Sequence, residues 1–371
     1  MRYVVVGAGA VGGTVAARLT RAGREVVLVG RPGAHLDALR SVGLTLGAPD
    51  GTFTVRPPVA AGPDEVALAL GDALLIAVKS QDTAAVLEAW NGQPVAGLPK
   101  GSPAGQAAPA GTVAHGGPAA HGGTAAHGET VAHGGPAVAA ACVPVFCFQN
   151  GVDNERQAAR RFAEVYGAGV QLPAELTGPG TIAATASPVS GIIELGRFPA
   201  GTGTAATRLA EDLSGAGFVA TVTDQIMVAK YTKLLRNLRN AVVACCGPLS
   251  NDAARELAEL ATAEGEACLK AAGIAFGDLK AADGAREATL TDLPVNGRAR
   301  GGSSTWQSLN RGSGSTEADF LNGEIVLLGR LHGAATPVNE LLRRTVNGLA
   351  SWREPPGAVD PADLLRIAVA G

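Results

Sequence analysis

The sequence predicts an α/β fold, with a parallel-sheet N-terminal domain at 1–223 followed by an all-α C-terminal domain at 224–371. Three observations carry this expectation. The chain opens on a β-branched run, Arg2–Val6, that leads straight into Gly7-Ala8-Gly9-Ala10-Val11-Gly12 and a helical pattern. Short apolar runs then alternate with helical stretches up to about residue 223. From Asp224 onward the period is helical.

Arg2–Val6 has no polar alternation, which marks a strand buried on both faces. Val11–Ala22 is the first helix, stopped by Gly23, and Glu25–Val29 closes a βαβ unit. Leu36–Val42 reads as a helix and Leu44–Val59 as a hairpin across Asp50-Gly51. Ala73–Val78 and Val143–Phe148 are further buried strands, with a helix at Thr83–Trp90. Thr181–Phe198 is β-rich, Thr204–Gly215 reads as a helix and Phe218–Thr223 as a strand. Asp224 is the expected N-cap of a helix running to Cys246. Further helices fit Asp252–Ala272, Gly302–Leu309, Ala318–His332 and Pro337–Arg353, with a weakly helical tail from Asp360.

One stretch, at about 94–141, interrupts this order. Its only charged residues are Lys100 and Glu129, and hexapeptides of the AHGGPA type place His115, His121, His127 and His133 six apart. A histidine-rich tract can bind metal. A repeat so poor in bulky side chains cannot build a core, and it reads more simply as a low-complexity insertion in a surface loop. No metal is expected.

The 371 residues are 46% hydrophobic and 17% charged, the balance of a soluble globular chain. A net charge of −3 gives no electrostatic reason to expect nucleic acid or an anionic membrane as a partner. No run reads as a membrane span or a leader peptide. Five cysteines without zinc-like spacing fit a reducing cytoplasm, and the adjacent Cys245 and Cys246 read as small buried residues. A homodimer is compatible with all of this.

The glycine motif lies between a strand and a helix, the context that gives it meaning as a Rossmann dinucleotide-binding loop. Gly7 permits the tight turn, Gly9 lets a pyrophosphate approach the backbone, and Gly12 lets helix and sheet pack closely; Ala8, Ala10 and Val11 complete the loop. The second strand ends in Val29-Gly30-Arg31, where a site preferring NAD places a carboxylate for the ribose hydroxyl. Arg31 offers a fork for a 2′-phosphate, so the expected cofactor is NADPH. Lys79 closes the Ala73–Val78 strand at the same edge and can reach that phosphate or the ribose. Asn150, in Phe148-Gln149-Asn150-Gly151, closes the next and can hydrogen-bond ribose, carboxamide or substrate.

In KYTKLLRNLRNAVVA, Lys233, Asn237 and Asn240 are offset by 4 and 7 and share a helical face. Such a polar stripe on a helix otherwise made of Leu, Val and Ala suggests a lined cavity. A partly buried lysine there can act as general acid toward a developing alkoxide. The nearby Lys230, Arg236 and Arg239 also allow a plain solvated face. Ser303-Ser304 offers hydroxyls to a substrate carboxylate. Glu317 can bind a substrate hydroxyl, pair with Lys233, or simply sit in a first helical turn behind Ser315.

Taken in order, these segments resemble the ketopantoate reductase (2-dehydropantoate 2-reductase) family over nearly all of the chain except about 94–141. The resemblance rests on GAGAVGG, the Arg31 position, VKSQDT at 78–83, FQNG at 148–151, K-x-x-x-N at 233–237, SS…TEADFLNGE at 303–324 and GRLHGAATPVNELL at 329–342. It implies reduction of a 2-keto acid by NADPH in a cleft between a Rossmann and a helical domain. It further implies Lys233 as general acid, Asn237 and Asn150 orienting substrate or nicotinamide, and Asn251 lining the substrate site. Ser304 would take the carboxylate, Glu317 the substrate hydroxyl, and Arg31 with Lys79 the 2′-phosphate. The chain departs from the family where Ala241, Gly301 and Ser308 replace an asparagine, an asparagine and an aspartate. The reaction type is therefore better specified than the substrate. A paralogous reductase for an imine or a secondary-metabolite ketone, and a non-catalytic NADPH-binding regulator, are the alternatives.

Overall fold

The computed structural model describes residues 1–96 and 138–370; the histidine repeat at 115–133 lies outside them. In chain order the sheet region contains β1 (Arg2–Val6), α1 (Ala10–Arg21), β2 (Val26–Val29), α2 (Ala34–Ser41), β3 (Leu44–Ala48), β4 (Gly51–Val55), β5 (Val59–Ala60) and β6 (Asp72–Ile76). It continues with α3 (Thr83–Asn91), β7 (Val145–Cys147), α4 (Asn154–Ala159), β8 (Val165–Gln171), β9 (Ala174–Gly178), β10 (Thr181–Ala184), β11 (Ile192–Arg197), α5 (Thr204–Gly215) and β12 (Val219–Val222).

Eight of these strands form one sheet in the order β12-β11-β8-β7-β6-β1-β2-β5. The ladders are parallel except where β11 runs against β8. The order reverses at β1, with β2 on one side and β6 on the other, and ligands of such sheets bind outside the carboxyl ends of the strands at that point. Tyr3, Val4, Leu74, Leu75 and Phe146 are fully buried, as expected for strands covered on both faces. The hairpin β3–β4 belongs to a second sheet, β9-β10-β3-β4, that packs on α1. There Ile182 Cδ1 occupies the space that a side chain at Gly13 would need.

The helices that follow are α6 (Ile226–Cys246), α7 (Asp252–Ala271), α8 (Leu279–Thr289), α9 (Ser304–Asn310), α10 (Asn322–His332), α11 (Pro337–Trp352) and α12 (Pro361–Ala370). The first of them is the axis of this half. Leu234, Leu235, Leu238 and Val242 bury one face against α7, α9 and α11, while the same helix also packs on β8. That double contact delivers α6 side chains to the sheet edge.

The elements differ from expectation in a few places. Gln225, not Asp224, precedes the first turn of α6, because the Thr223 hydroxyl accepts from the Gln225 N–H and starts the helix later. Ala318–His332 is broken into a 3-10 turn, Ala318–Phe320, and α10. A two-residue ladder joins Ala186–Ser187 to Thr291–Asp292, so the second half is not wholly α. The strands β8 and β9 and the helices α4 and α8 had no sequence signal. Among the described residues no helix is long and apolar enough to cross a membrane.

Candidate active site

At the end of β1, Gly7 has φ +115°, and a Cβ there would lie 2.7 Å from the Ala77 carbonyl carbon. At Gly12 a Cβ would meet the Gly7 oxygen at 2.1 Å, so only glycine lets α1 sit this close to the strand turn. Gly9 is different: a Cβ there would meet nothing within 4 Å. It occupies the N-cap of α1 with no side-chain cap, and the N–H groups of the first turn, from Ala10 and Val11, are left for a ligand. The Ala8 carbonyl accepts from His35 Nε2 at 2.8 Å, and His35 Nδ1 accepts from the Gly180 N–H at 3.0 Å, which braces the loop from behind. An open, uncapped helix start beside close-packed glycines fits a pyrophosphate. Arg31 is 88% exposed just past β2, with Asp82 at 3.7 Å.

Lys233 of α6 reaches this edge of the sheet. Its Nζ donates to Asn150 Oδ1 at 2.9 Å and to the Val170 carbonyl. Burial, reinforced by the Lys230 and Arg236 cations, lowers its pKa to about 7, against the opposing pull of Glu317 and Glu194. An ammonium has three hydrogens, and two are placed by these acceptors. The third is available to a reacting oxygen.

Asn150 is fixed through its backbone. Its carbonyl accepts from Ser80 Oγ at 3.2 Å and from Asn154 Nδ2 at 2.8 Å, and Asn154 Oδ1 accepts from Thr83 Oγ1 at 2.8 Å. Gln149 donates to Thr83 Oγ1 at 2.6 Å, while its own carbonyl accepts from Lys230 Nζ at 3.3 Å. Lys230 forms a buried ion pair with Glu155. The two have no counterpart among the residues singled out from the sequence, where Lys230 read as a surface charge.

Glu317 and Lys79 differ from expectation together. Glu317 accepts from Lys79 Nζ at 2.8 Å and from the Ser80 N–H and Oγ at 3.1 Å each. Burial alone would push this carboxyl up; Lys79 and Ser80 outweigh it and hold it below the ordinary carboxylate value. A carboxylate only 5% exposed needs such partners. So Glu317 is bonded to Lys79 and Ser80 and not to Lys233, and the Lys79 amine is turned to Glu317. This ion pair closes the chain across 238 positions of sequence.

Asn237 lies one turn beyond Lys233 on the same face, is 9% exposed, and its carboxamide has no hydrogen-bond partner among the described residues. Ser304, at the first position of α9, packs toward α6 with a hydroxyl that likewise lacks a protein partner. Asn240 is half-buried further along α6. Asn251 is not brought to this group. It is exposed beyond the C-terminal end of α6, and its Oδ1 caps α7 by accepting from the Ala254 N–H at 2.8 Å.

Two departures from the family pattern have physical reasons here. Ala241 is 2% exposed inside the helical core, where an unpaired carboxamide would be costly. At Gly301 a Cβ would meet Trp306 Cζ3 at 2.7 Å, so the indole occupies the place of an asparagine side chain. Ser308 turns its hydroxyl back to the Ser304 carbonyl at 3.1 Å. The adjacent thiols Cys245 and Cys246 are unpaired, and burial, helped by Asp360, pushes Cys246 up to about 11. Among the described residues no group of His, Cys, Asp and Glu is arranged to hold a metal ion.

Two family models match the chain: Ketopantoate reductase PanE/ApbA over residues 3–94 and Ketopantoate reductase PanE/ApbA C terminal over residues 225–350. Together they span more than half of it. A 2-dehydropantoate 2-reductase of Halobacterium salinarum is 42% identical over 90 residues, which is 24% of this chain and 29% of that protein. A solved PanE/ApbA family ketopantoate reductase from Ralstonia eutropha superposes with a TM-score of 0.70 at 26% identity, covering 95% of this chain and 100% of the other. D-mandelate dehydrogenase with NADH and anilino(oxo)acetate superposes with a TM-score of 0.71 at 20% identity, over 95% and 99% of the two chains, a likeness of fold.

Proposed function

The chain belongs to the ketopantoate reductase family, and we propose that it is a cytoplasmic enzyme that reduces a small 2-keto acid, 2-dehydropantoate or a close analogue, at the expense of NADPH. The observation that carries the reading is Lys233: a buried amine held by Asn150 and Val170 at the carboxyl edge of the sheet, where burial lowers its pKa to about 7. We further propose that the chain divides at 223/224, so that Lys233 arrives from the second domain and the glycine loop from the first.

Gly7 to Gly12 would hold the pyrophosphate and Arg31 the 2′-phosphate. The dinucleotide, when bound, supplies the hydride for the carbonyl carbon. This chain's residues do the rest. Lys233 gives its third ammonium proton to the carbonyl oxygen as negative charge develops there, and its charge stabilises that oxygen. Asn237 and Ser304, whose side-chain polar atoms have no hydrogen-bond partner among the described residues, take the substrate's carboxylate and hydroxyl groups. The Lys79–Glu317 pair holds the loop after β6 against the turn before α10, so it positions Asn150 and Ser80 rather than touching substrate.

The test is NADPH absorbance with purified protein and a panel of 2-keto acids including 2-dehydropantoate, with NADH in parallel. Turnover with a 2-keto acid is expected. Tight NADPH binding with no turnover on any member would reject the reading in favour of a binding protein. Arg31→Ala is expected to raise the KM for NADPH about tenfold, the loss of one charge-assisted contact. The KM for NADH should stay put. Equal changes for both cofactors would remove Arg31 from the 2′-phosphate.

A further inference from the structure

A general acid gives up its proton in every turnover and must regain one. Lys233 also lines a cavity of about 280 Å³, with Gln171, Glu194, Thr223, Thr232 and Arg236 among its walls. Gln225 and Asp278 at the rim are exposed, so water reaches it. Glu194 stands directly across the ladder from Gly169, and its side chain lies over a residue that has none: a Cβ at 169 would be 3.4 Å from Glu194 Oε2. The next residue is Val170, whose carbonyl holds Lys233 Nζ.

The charged groups that share the cavity wall with Glu194 are Lys233 and Arg236 from α6 and Asp278 at the head of α8, with Gln171 from β8 beside them. Arg236 is already held by Asp283 at 2.5 Å and by Gln171 at 3.0 Å. Among the described residues Glu194 accepts no hydrogen bond. Burial pushes its carboxyl up, and Arg236 and Lys233 pull it down by less. The Glu194 charge in turn supports the protonated form of Lys233, alongside Glu317.

We propose that Glu194 reloads Lys233 with protons, using this cavity as its route to water. The inference rests on the reductase reading above. After Lys233 has protonated the alkoxide, the Glu194 carboxylate takes a proton from buffer acid through the cavity and passes it through cavity water to the neutral amine, which returns Glu194 to its charged form. Only N–H and O–H bonds change, and nothing is oxidised or reduced. Glu194 acts through Lys233 and positions a proton rather than touching substrate.

The first test needs neither cofactor nor substrate. Competitive acetylation with acetic anhydride across pH, read by mass spectrometry, gives the titration midpoint of Lys233 in the folded protein. Glu194→Gln is expected to lower that midpoint, because it removes a charge that favours the ammonium, and Glu194→Asp to restore most of it. In turnover, Glu194→Gln is expected to lose about tenfold in kcat at pH 8, with formate recovering part of the loss as a small diffusible acid. A midpoint unmoved by Glu194→Gln overturns the proposal, as does a loss of turnover that no small acid repairs. A wild-type protein inactive on every 2-keto acid would instead count against the reductase reading, since the acetylation arm does not depend on it.

Discussion

Lys233→Ala is expected to lower kcat by about 10³-fold while leaving the Kd for NADPH within about twofold of the parent value. The split follows from where the residue sits. Its amine is bonded to Asn150 and Val170 and, among the described residues, to no group of the glycine loop that would bind the pyrophosphate. Lys233→Arg is expected to be nearly as inactive, since a guanidinium stays charged at every accessible pH and is a poor proton donor. The pH profile gives an independent check. Lys233 is a donor only when protonated, and burial with Lys230 and Arg236 has brought its pKa to about 7. So kcat should be level below that value and fall about tenfold per pH unit above it. Stopped-flow NADPH oxidation across pH measures both effects. A Lys233→Ala protein that keeps kcat within a few-fold, or a profile flat from pH 6 to 9, would take the proton-donor role away from this residue.

The parts of this site that were legible in sequence are those written locally. A strand, a glycine loop and a helix are contiguous in Arg2–Arg21, and helical spacing alone puts Lys233 and Asn237 on one face. What was illegible depends on residues far apart. Lys79 and Glu317 each read well as a ligand-binding group, and nothing near either one in sequence says that they neutralise each other. The strand β8, VYGAGVQ, carries two glycines and no alternation, so it gave no strand signal. Its glycines make sense only in the fold. A Cβ at Gly167 would crowd Lys230 Cδ at 3.3 Å and Glu155 Oε1 at 3.4 Å, and Gly169 leaves room for Glu194. The space belongs to side chains from α4, α6 and β11, which a reading along the chain cannot see. The same holds for Asn251, whose spacing after the lysine matched a family pattern while its position in the fold made it a helix cap.

The largest stability effect is expected at the Lys230–Glu155 pair. Both side chains are essentially inaccessible, at 2% and 0%. Burial pushes the Glu155 carboxyl up and Lys230 opposes it, and Glu155 Oε2 has no hydrogen-bond partner of its own. Glu155→Gln leaves the Lys230 ammonium buried without a counter-charge, and a loss of about 3–5 kcal/mol is expected, or on the order of 10 °C in Tm. Removing both charges is a different experiment. Glu155→Leu with Lys230→Met replaces an ion pair by apolar groups of similar size, and such replacements are neutral or stabilising when they pack. The double variant should therefore melt near or above the parent, although the single variant does not. Its activity carries a second reading. Lys230 is one of the two cations that depress Lys233, so its removal lets the Lys233 pKa rise, and the falling limb of the kcat profile should move to higher pH. A double variant as unstable as Glu155→Gln would mean that the cost lies in packing against Gly167 rather than in the unpaired charge. One that is stable but keeps the parent pH profile would show that Lys230 supports the site through the Gln149 carbonyl and not through its charge.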